Sequence, residues 1–150
     1  MILRGLKMVE DLENEVWKMI SDNTDLTKKR NKIYVSNLGR VKIVHTSGRS
    51  KLCKQHEHIG GYLYVHIRLN GRRCHYSVHR LVANAFCVKP QSDEKLEVNH
   101  INENKADNRA ENLEWCTHRQ NLNYGRRGEL LHNFGNFMKA RHAKALRIED

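Results

Sequence analysis

The sequence predicts an α+β protein: a basic antiparallel β module at residues 13–80, a β-loop-β-α unit at 81–124 and a basic helical tail at 125–150. Three observations lead to this prediction. Alternating apolar and polar runs fill the first part, two short apolar runs flank a polar loop further on, and the charge is unevenly distributed. A length of 150 residues suits one compact domain or two small ones.

The first strands of the β module are expected on either side of the turn Asn37-Leu38-Gly39. The turn interrupts two β-branched runs, and Gly39 can supply the positive φ that such a turn requires. Arg40 and Lys42 alternate with apolar residues, so this pair should present one basic face and one apolar face.

A second hairpin is expected in residues 62–78. Polar and apolar side chains alternate from Tyr62 to Leu69, Asn70-Gly71 supplies a two-residue turn, and Arg72 to Val78 returns. Tyrosine and arginine on one face suit phosphates and base edges, but the tyrosines also fit ordinary cross-strand pairs. We expect a mixture, in which the apolar face builds the fold and the cationic face contacts a ligand.

A core helix is expected in residues 79–86, because Leu81, Val82, Ala85 and Phe86 recur at helical spacing. His79 opens this segment and has two possible roles. It could approach a bound phosphate together with Arg80, or it could be a helix-start residue that bonds to the sheet.

The most informative segment runs from Val98 to Asn121, within a unit that spans residues 96–124. Leu96 to Ile101 and Leu113 to Cys116 predict two short strands, and the intervening asparagines and aspartate are typical of turns. Thr117 offers an N-cap for a helix from His118 to Tyr124.

The side chains of this unit suit hydrolysis of a phosphate ester. A neutral histidine such as His100 accepts a proton from water near pH 7. The amide oxygens of Asn99 and Asn121 are hard ligands that Mg²⁺ or Mn²⁺ accepts. An isolated histidine would more often be a hydrogen-bonded strand residue, so the prediction depends on the whole pattern.

The run from Val98 to Asn121, with Asn112-Leu113-Glu114-Trp115 at its centre, resembles the HNH motif of homing endonucleases. The resemblance implies a ββα-metal unit that hydrolyses DNA phosphodiesters with one Mg²⁺ or Mn²⁺ per site. His100 is then the general base, Asn99 and Asn121 are metal ligands, and Asn112 is the motif asparagine that pins the loop.

Two residues depart from the family pattern. Asn99 stands where Asp or His is frequent, which implies weaker metal affinity, and Glu103 stands where glycine is common. Residues 15–41, with Trp17-Lys18 and Val35-Ser36-Asn37-Leu38-Gly39-Arg40-Val41, also resemble the small module that precedes HNH domains in phage and intron endonucleases.

The net charge of +10 favours a polyanion, and double-stranded DNA is the predicted partner. Residues 28–80 hold thirteen lysines and arginines and a single acid, Glu57. The predicted DNA contacts are Arg40, Lys42, Arg68, Arg72, Arg73, His79, Arg80, Arg126 and Arg127. With one site per chain, a monomer would nick, whereas a homodimer or a second visit would cut both strands.

No apolar run reaches membrane-span length and no signal-peptide pattern is present. We therefore expect no membrane partner and an intracellular location, in the cytoplasm of a bacterial or phage-infected host. The four cysteines are far apart and form no CxxC pair, so a structural zinc site is not expected.

Two other functions remain open. The first is a DNA-binding accessory protein with a weak or inactive HNH site, which the neutral Asn99 would favour. The second is RNA binding, which predicts that unpaired bases stack on Tyr62, Tyr64 or Tyr76.

Overall fold

A computed structural model describes residues 8–20, 31–69 and 72–125, with only the backbone at Leu69 and Arg72. The predicted α+β class is confirmed, with short, mostly antiparallel strands and two helices in these ranges. In chain order the elements are β1 (Trp17–Met19), β2 (Asn31–Ser36), β3 (Val41–His45), β4 (Ser50–Leu52), β5 (Gln55–Glu57), β6 (Leu63–Leu69), β7 (Arg72–Ser77), α1 (Val78–Phe86), β8 (Leu96–His100), β9 (Leu113–Thr117) and α2 (His118–Leu122).

Strands β1 to β4 form an antiparallel sheet in that order. Gly39 has the expected positive φ, +82°, in the turn between β2 and β3. One face of this sheet carries the half-buried Trp17, whose ring lies 3.9 Å from Lys42 Nζ and 5.3 Å from the Arg40 guanidinium. The predicted basic face is therefore present, and its cations lie against an aromatic ring.

Strands β5, β6 and β7 form a second antiparallel sheet. Val65 and Ile67 point into the core, and His66 and Arg68 lie directly opposite His75 and Arg73. This register places histidine and arginine side chains together on the outer face. The predicted hairpin is confirmed in β6 and β7, although Tyr62 precedes β6 and Val78 already belongs to α1.

Helix α1 covers the inner faces of these strands with Val78, Val82 and Ala83, all fully buried. Its apolar residues recur every three to four positions, which gives the helix one buried stripe. The buried core of this part of the chain consists of Ile33, Val35, Val41, Val65, Ile67, Val78, Val82, Ala83, Val98 and Leu113.

Strands β8 and β9 pair as a two-stranded sheet, and α2 follows β9 directly. Thr117 is the predicted N-cap: its hydroxyl accepts from the Gln120 amide, and the Gln120 side chain accepts from the Thr117 amide. The helix ends at Leu122, two residues before the predicted end, because Asn123 leaves the helical backbone region with ψ 1°.

The chain divides into two compact units. Among the described residues, the first unit contains those up to Gln91 together with Val98–Trp115, and the second contains Ser92–Glu97 with residues 116–125. The domain limits predicted from the sequence stay a prediction. No helix in the described ranges combines the length and the apolarity that a membrane span requires. The Asn70-Gly71 turn, Arg126, Arg127 and the predicted helical tail after Gly125 lie outside the described residues.

Candidate active site

The loop between β8 and β9 is held in place by the side chain of Asn112. Its Oδ1 accepts from the Asn102 backbone amide at 3.0 Å, and its Nδ2 donates to the Asp107 carbonyl at 2.8 Å and to Asn102 Oδ1 at 2.9 Å. Asn112 is also buried, so these bonds are sheltered from water. These contacts hold the loop in one conformation, and the role of Asn112 in the site stays a prediction.

Glu103, which stands where the family pattern commonly has glycine, lies in the same loop. Glu103 has φ +61°, a left-handed conformation that glycine adopts without strain. The loop keeps the turn geometry despite this substitution. At its far side Arg109 donates to Asp107 at 2.9 and 2.8 Å, and this hydrogen bonding lowers the pKa of Asp107 to about 2. Asp107 therefore remains ionised and ties the loop down at neutral pH.

His100 ends β8 and is buried, with 4% of its surface exposed. Its Nε2 lies 3.0 Å from Oδ1 of Asn108, which is equally buried. An amide oxygen only accepts, so this contact places the proton of the neutral imidazole on Nε2. Nδ1 is then the nitrogen with a free lone pair, as a general base requires.

Asn108 is in turn supported by the turn between β2 and β3. A Cβ added at Gly39 would lie 3.0 Å from the Asn108 carbonyl oxygen and 3.1 Å from its Cβ. The Ala110 amide donates to the Asn37 carbonyl at 2.7 Å. The Asn37-Leu38-Gly39 turn of the upstream module therefore packs directly against the residue that orients His100.

Two further rings surround His100. The centroids of the His79 and Tyr62 rings lie 5.3 and 5.9 Å from that of His100, and 5.0 Å from each other. His79 is 7% exposed, and its Nδ1 has no hydrogen-bond partner among the described residues. Burial, followed by the nearby His100 and Arg80, lowers the pKa of His79 to about 4. His79 therefore stays neutral beside the candidate base.

Asn99 precedes the base on β8 and is 9% exposed. Its Nδ2 donates to Glu114 Oε1 at 2.9 Å, which leaves Oδ1 as the end of the amide that accepts no hydrogen bond from a described residue. Glu114 comes from β9, within the same compact unit.

The second unit holds Asn121, on α2. Its Nδ2 donates to Glu97 Oε2 at 2.8 Å, while Glu97 Oε1 lies 3.1 Å from His118 Nδ1. The hydrogen bond from Asn121, followed by the contact with His118, lowers the pKa of Glu97. The predicted ligands Asn99 and Asn121 thus fall in different units, and each is anchored within its own.

The residues present fit a hard divalent cation. Within the described ranges no group of three or more His, Cys, Asp and Glu side chains is arranged to hold a metal. The available donors are instead amide oxygens, which suit Mg²⁺ and Mn²⁺ when phosphate oxygens and water complete the coordination shell.

The predicted DNA contacts fall into four groups. Arg68, Arg73 and Arg80 are exposed. Arg40 and Lys42 are engaged within the protein: Arg40 Nε lies 2.9 Å from Glu15 Oε1, and Lys42 Nζ lies 3.3 Å from Asp11 Oδ1. His79 lies at the candidate site, and the side chains of Arg72, Arg126 and Arg127 are outside the described part of the chain.

The outer face of the second sheet also carries a cluster of rings. The His66 and His75 rings lie 4.2 Å apart, and Tyr64 stacks against His56 and His75 at 5.7 Å each. Desolvation, followed by the nearby Arg73, His75 and His56, lowers the pKa of His66. His66 therefore carries less positive charge at neutral pH than an ordinary histidine.

Sequence reasoning missed Asn108, Glu97 and Glu114 as partners of the predicted site residues. Asn108 is one of several asparagines in a polar loop, and sequence spacing alone does not show which of them contacts His100. A signal did exist for the two glutamates, because both are charged residues within short strands that flank the predicted site.

Comparison with known proteins assigns the class. Residues 76–123 match the family model described as HNH endonuclease, and residues 15–68 match the NUMOD4 motif. The first match includes His100 and the loop that follows it, and the second includes the Asn37-Leu38-Gly39 turn that packs against Asn108. The chain therefore contains an HNH endonuclease domain and a NUMOD4 motif, and it is similar to HNH homing endonucleases.

Individual relatives agree. "Uncharacterized HNH endonuclease L247" of Acanthamoeba polyphaga mimivirus is 37% identical over 113 residues, which cover 75% of this chain and 26% of the relative. "Uncharacterized HNH endonuclease L245" of the same virus is 45% identical over 62 residues, or 41% of this chain and 18% of the relative. The chain thus matches about a quarter or less of these relatives' lengths.

A solved structure on DNA binding and cleavage by the HNH homing endonuclease I-HmuI is also similar, with a TM-score of 0.52 and 26% identity. The match covers 89% of this chain and 65% of that one.

Proposed function

We propose that this protein is a metal-dependent DNA endonuclease that hydrolyses phosphodiester bonds with His100 as the general base. The family assignment supports the reaction class, and the described similarity to a DNA-cleaving homing endonuclease supports DNA as the substrate. The observation that carries the proposal is the buried contact between His100 Nε2 and Asn108 Oδ1. It orients the ring and leaves Nδ1 to accept a proton.

In this proposal His100 removes a proton from a water molecule, which attacks the phosphorus. Asn108 holds the ring during this transfer, and Asn112 keeps the loop in its conformation. The attack breaks the bond between phosphorus and the 3′ oxygen. Asn99 and Asn121 would hold one Mg²⁺ or Mn²⁺, which would stabilise the negative charge that develops on the phosphate and on the leaving 3′ oxygen. The plasmid experiment below compares Mg²⁺ with Mn²⁺. It also distinguishes cleavage of one strand from cleavage of both.

We propose that the main DNA contacts are made by the exposed side chains of Arg68, Arg73 and Arg80. Arg40 and Lys42 stay predicted contacts, but they would have to exchange their carboxylate partners for phosphates. An existing ion pair must break in such an exchange. The net gain in binding free energy is therefore smaller than for a new phosphate contact made by an unpaired arginine.

The test uses supercoiled plasmid with a random-sequence insert, incubated with Mg²⁺ or Mn²⁺. We expect conversion to open circles, and its loss with EDTA and in His100→Ala. His45→Ala, at an exposed histidine of β3, is the matched control and should cleave normally. Direct conversion to linear plasmid would indicate paired sites acting together. No cleavage of any library member, with salt-sensitive DNA binding intact, would overturn the catalytic proposal.

That last result would favour the second candidate, a DNA-binding accessory protein with a weak site. The specific observation in its favour is Asn99, a neutral ligand where related motifs often carry a charged one. RNA binding has less support. The Tyr64 ring stacks on His56 and His75, and Lys105 lies 4.7 Å from the Tyr62 ring, so both rings already have neighbours within the protein.

A further inference from the structure

The two asparagines that the sequence predicts as metal ligands share one feature. Asn99 Nδ2 donates to Glu114 Oε1 at 2.9 Å, and Asn121 Nδ2 donates to Glu97 Oε2 at 2.8 Å. Each pair lies within its own compact unit. The same arrangement, a carboxylate on the nitrogen end of a side-chain amide, therefore occurs twice.

The chemistry of the amide gives this arrangement a consequence. A carboxylate only accepts hydrogen bonds, so it fixes which end of the amide is nitrogen and which is oxygen. Once Nδ2 is held, Oδ1 must point away from the carboxylate. A hydrogen bond to a charged acceptor is also shorter and stronger than one between neutral groups, so it restricts rotation of the amide.

We propose that Glu114 and Glu97 are positioning residues that fix the amides of Asn99 and Asn121, so that Oδ1 of each asparagine is the atom left to bind a divalent cation. The inference rests on the proposed nuclease function, because it assigns these glutamates a role toward the metal of that site. Neither glutamate need touch the metal or the reacting phosphate. Residues that orient metal ligands in this way typically change metal affinity by 10- to 100-fold when removed.

The positioning role of Glu114 offsets part of the low cation affinity that the neutral Asn99 implies. A neutral asparagine at position 99 binds a cation less strongly than the aspartate that related motifs often carry. An amide that is already oriented loses less conformational entropy when it binds, so the fixed orientation offsets part of that weakness.

The experiment measures Mn²⁺ binding rather than cleavage. Protein carrying His100→Ala is mixed with a short duplex so that the substrate stays intact, and free Mn²⁺ is followed by electron paramagnetic resonance. We expect Glu114→Ala and Glu97→Ala each to weaken Mn²⁺ binding by about tenfold or more. Glu→Gln at either position keeps an oxygen that can accept from Nδ2, so it should restore affinity to within about threefold of the parent.

Glu111→Ala is the matched control. Glu111 is a nearby exposed glutamate whose partner is Arg109, at 2.7 Å, and this variant removes the same charge without touching either asparagine. Its Mn²⁺ affinity should stay within about twofold of the parent. Thermal unfolding, and duplex binding in EDTA, confirm that each variant is folded.

The results separate the two proposals. If the parent binds Mn²⁺ and folded Ala variants bind it equally well, the positioning role is wrong while the nuclease proposal stands. If the Gln variants lose as much affinity as the Ala variants, the carboxylates act through charge and the orienting role is wrong. If the parent itself binds no Mn²⁺ on DNA, both proposals fail.

Discussion

Nε2 of His100 lies 3.0 Å from Oδ1 of Asn108, and both side chains are almost completely buried. The two residues are eight positions apart, at opposite ends of the loop that Asn112 pins. Asn108 also contacts Gly39 of the upstream turn. Orientation of the candidate base therefore depends on packing between the module that matches the NUMOD4 motif and the HNH loop.

Replacing Asn108 tests this orientation. Asn108→Ala should lower the cleavage rate by about ten- to a hundredfold, since His100 would lose the acceptor that fixes its ring and tautomer. Duplex affinity should be unchanged. Asn108→Asp keeps an acceptor and should retain more activity than the alanine variant. Single-turnover plasmid nicking measures both rates, with Asn123→Ala at an exposed asparagine as control.

The aspartate variant decides the direction of the hydrogen bond. If the amide were reversed, Nδ2 would donate to His100, and an aspartate could not replace that donor. An aspartate variant no more active than the alanine variant would therefore contradict the assigned orientation.

Gly39 and Gly60 form a matched pair for the contact with Asn108. Both have positive φ, +82° and +101°, but a Cβ at Gly39 would meet Asn108, whereas one at Gly60 meets nothing within 4 Å. Gly60→Ala should therefore cost only the backbone strain, about 1–2 kcal/mol. Gly39→Ala should cost more and should also slow cleavage, because Asn108 must move. Urea unfolding and nicking rates measure the two effects. Equal losses of stability with unchanged nicking in both variants would show that the contact is unimportant.

Much of the site was predictable because its signals are local. The strand that carries His100 and the N-cap at Thr117 follow from side chains a few positions apart. These elements agree with the structure because near neighbours determine the alternation of a strand and the hydrogen bond of a cap. The side chain of Asn112 reaches Asn102, ten positions away, and its role in the site stays a prediction.

The remaining features depend on contacts between distant segments. The ring of Tyr62 lies beside His79 and His100, although alternation alone assigned it to the hairpin. Sequence spacing likewise does not show that Glu15 pairs with Arg40, a predicted DNA contact. Packing of the sheets brings these side chains together, and no short-range pattern encodes that packing.

His79 should make the stability of the protein depend on pH. Its pKa is lowered from 6.5 to about 4 in the folded chain, so the unfolded chain binds more protons between these values. Stability is therefore fully present above pH 6.5 and declines as the pH falls toward 4. Between pH 7.5 and pH 5 this group should remove about 2 kcal/mol from the free energy of unfolding.

His79→Phe keeps an aromatic ring beside Tyr62 but cannot titrate. The parent's loss of stability between pH 7.5 and pH 5, measured by urea unfolding, should shrink by about 2 kcal/mol in this variant. His45→Phe, at an exposed histidine, is the control for replacing a histidine by phenylalanine. An identical loss in the parent and in His79→Phe would show that His79 is not held neutral.

Arg68 and Arg73 should affect stability and DNA binding in opposite directions. They are directly opposed on β6 and β7, and like charges in that position repel. Replacing either with glutamine should therefore raise the free energy of unfolding slightly, by about 0.5 kcal/mol. If both contact phosphates, each replacement should weaken duplex binding and reduce the slope of log K against log salt by about 1.

Arg109→Gln is the control, because Asp107 and Glu111 already neutralise Arg109 at 2.8 and 2.7 Å. It should lower stability and leave the salt slope unchanged. Fluorescence anisotropy with a labelled duplex in EDTA, across a salt series, gives these slopes. A slope that is unchanged in the Arg68 and Arg73 variants would exclude this face of the second sheet from the DNA interface.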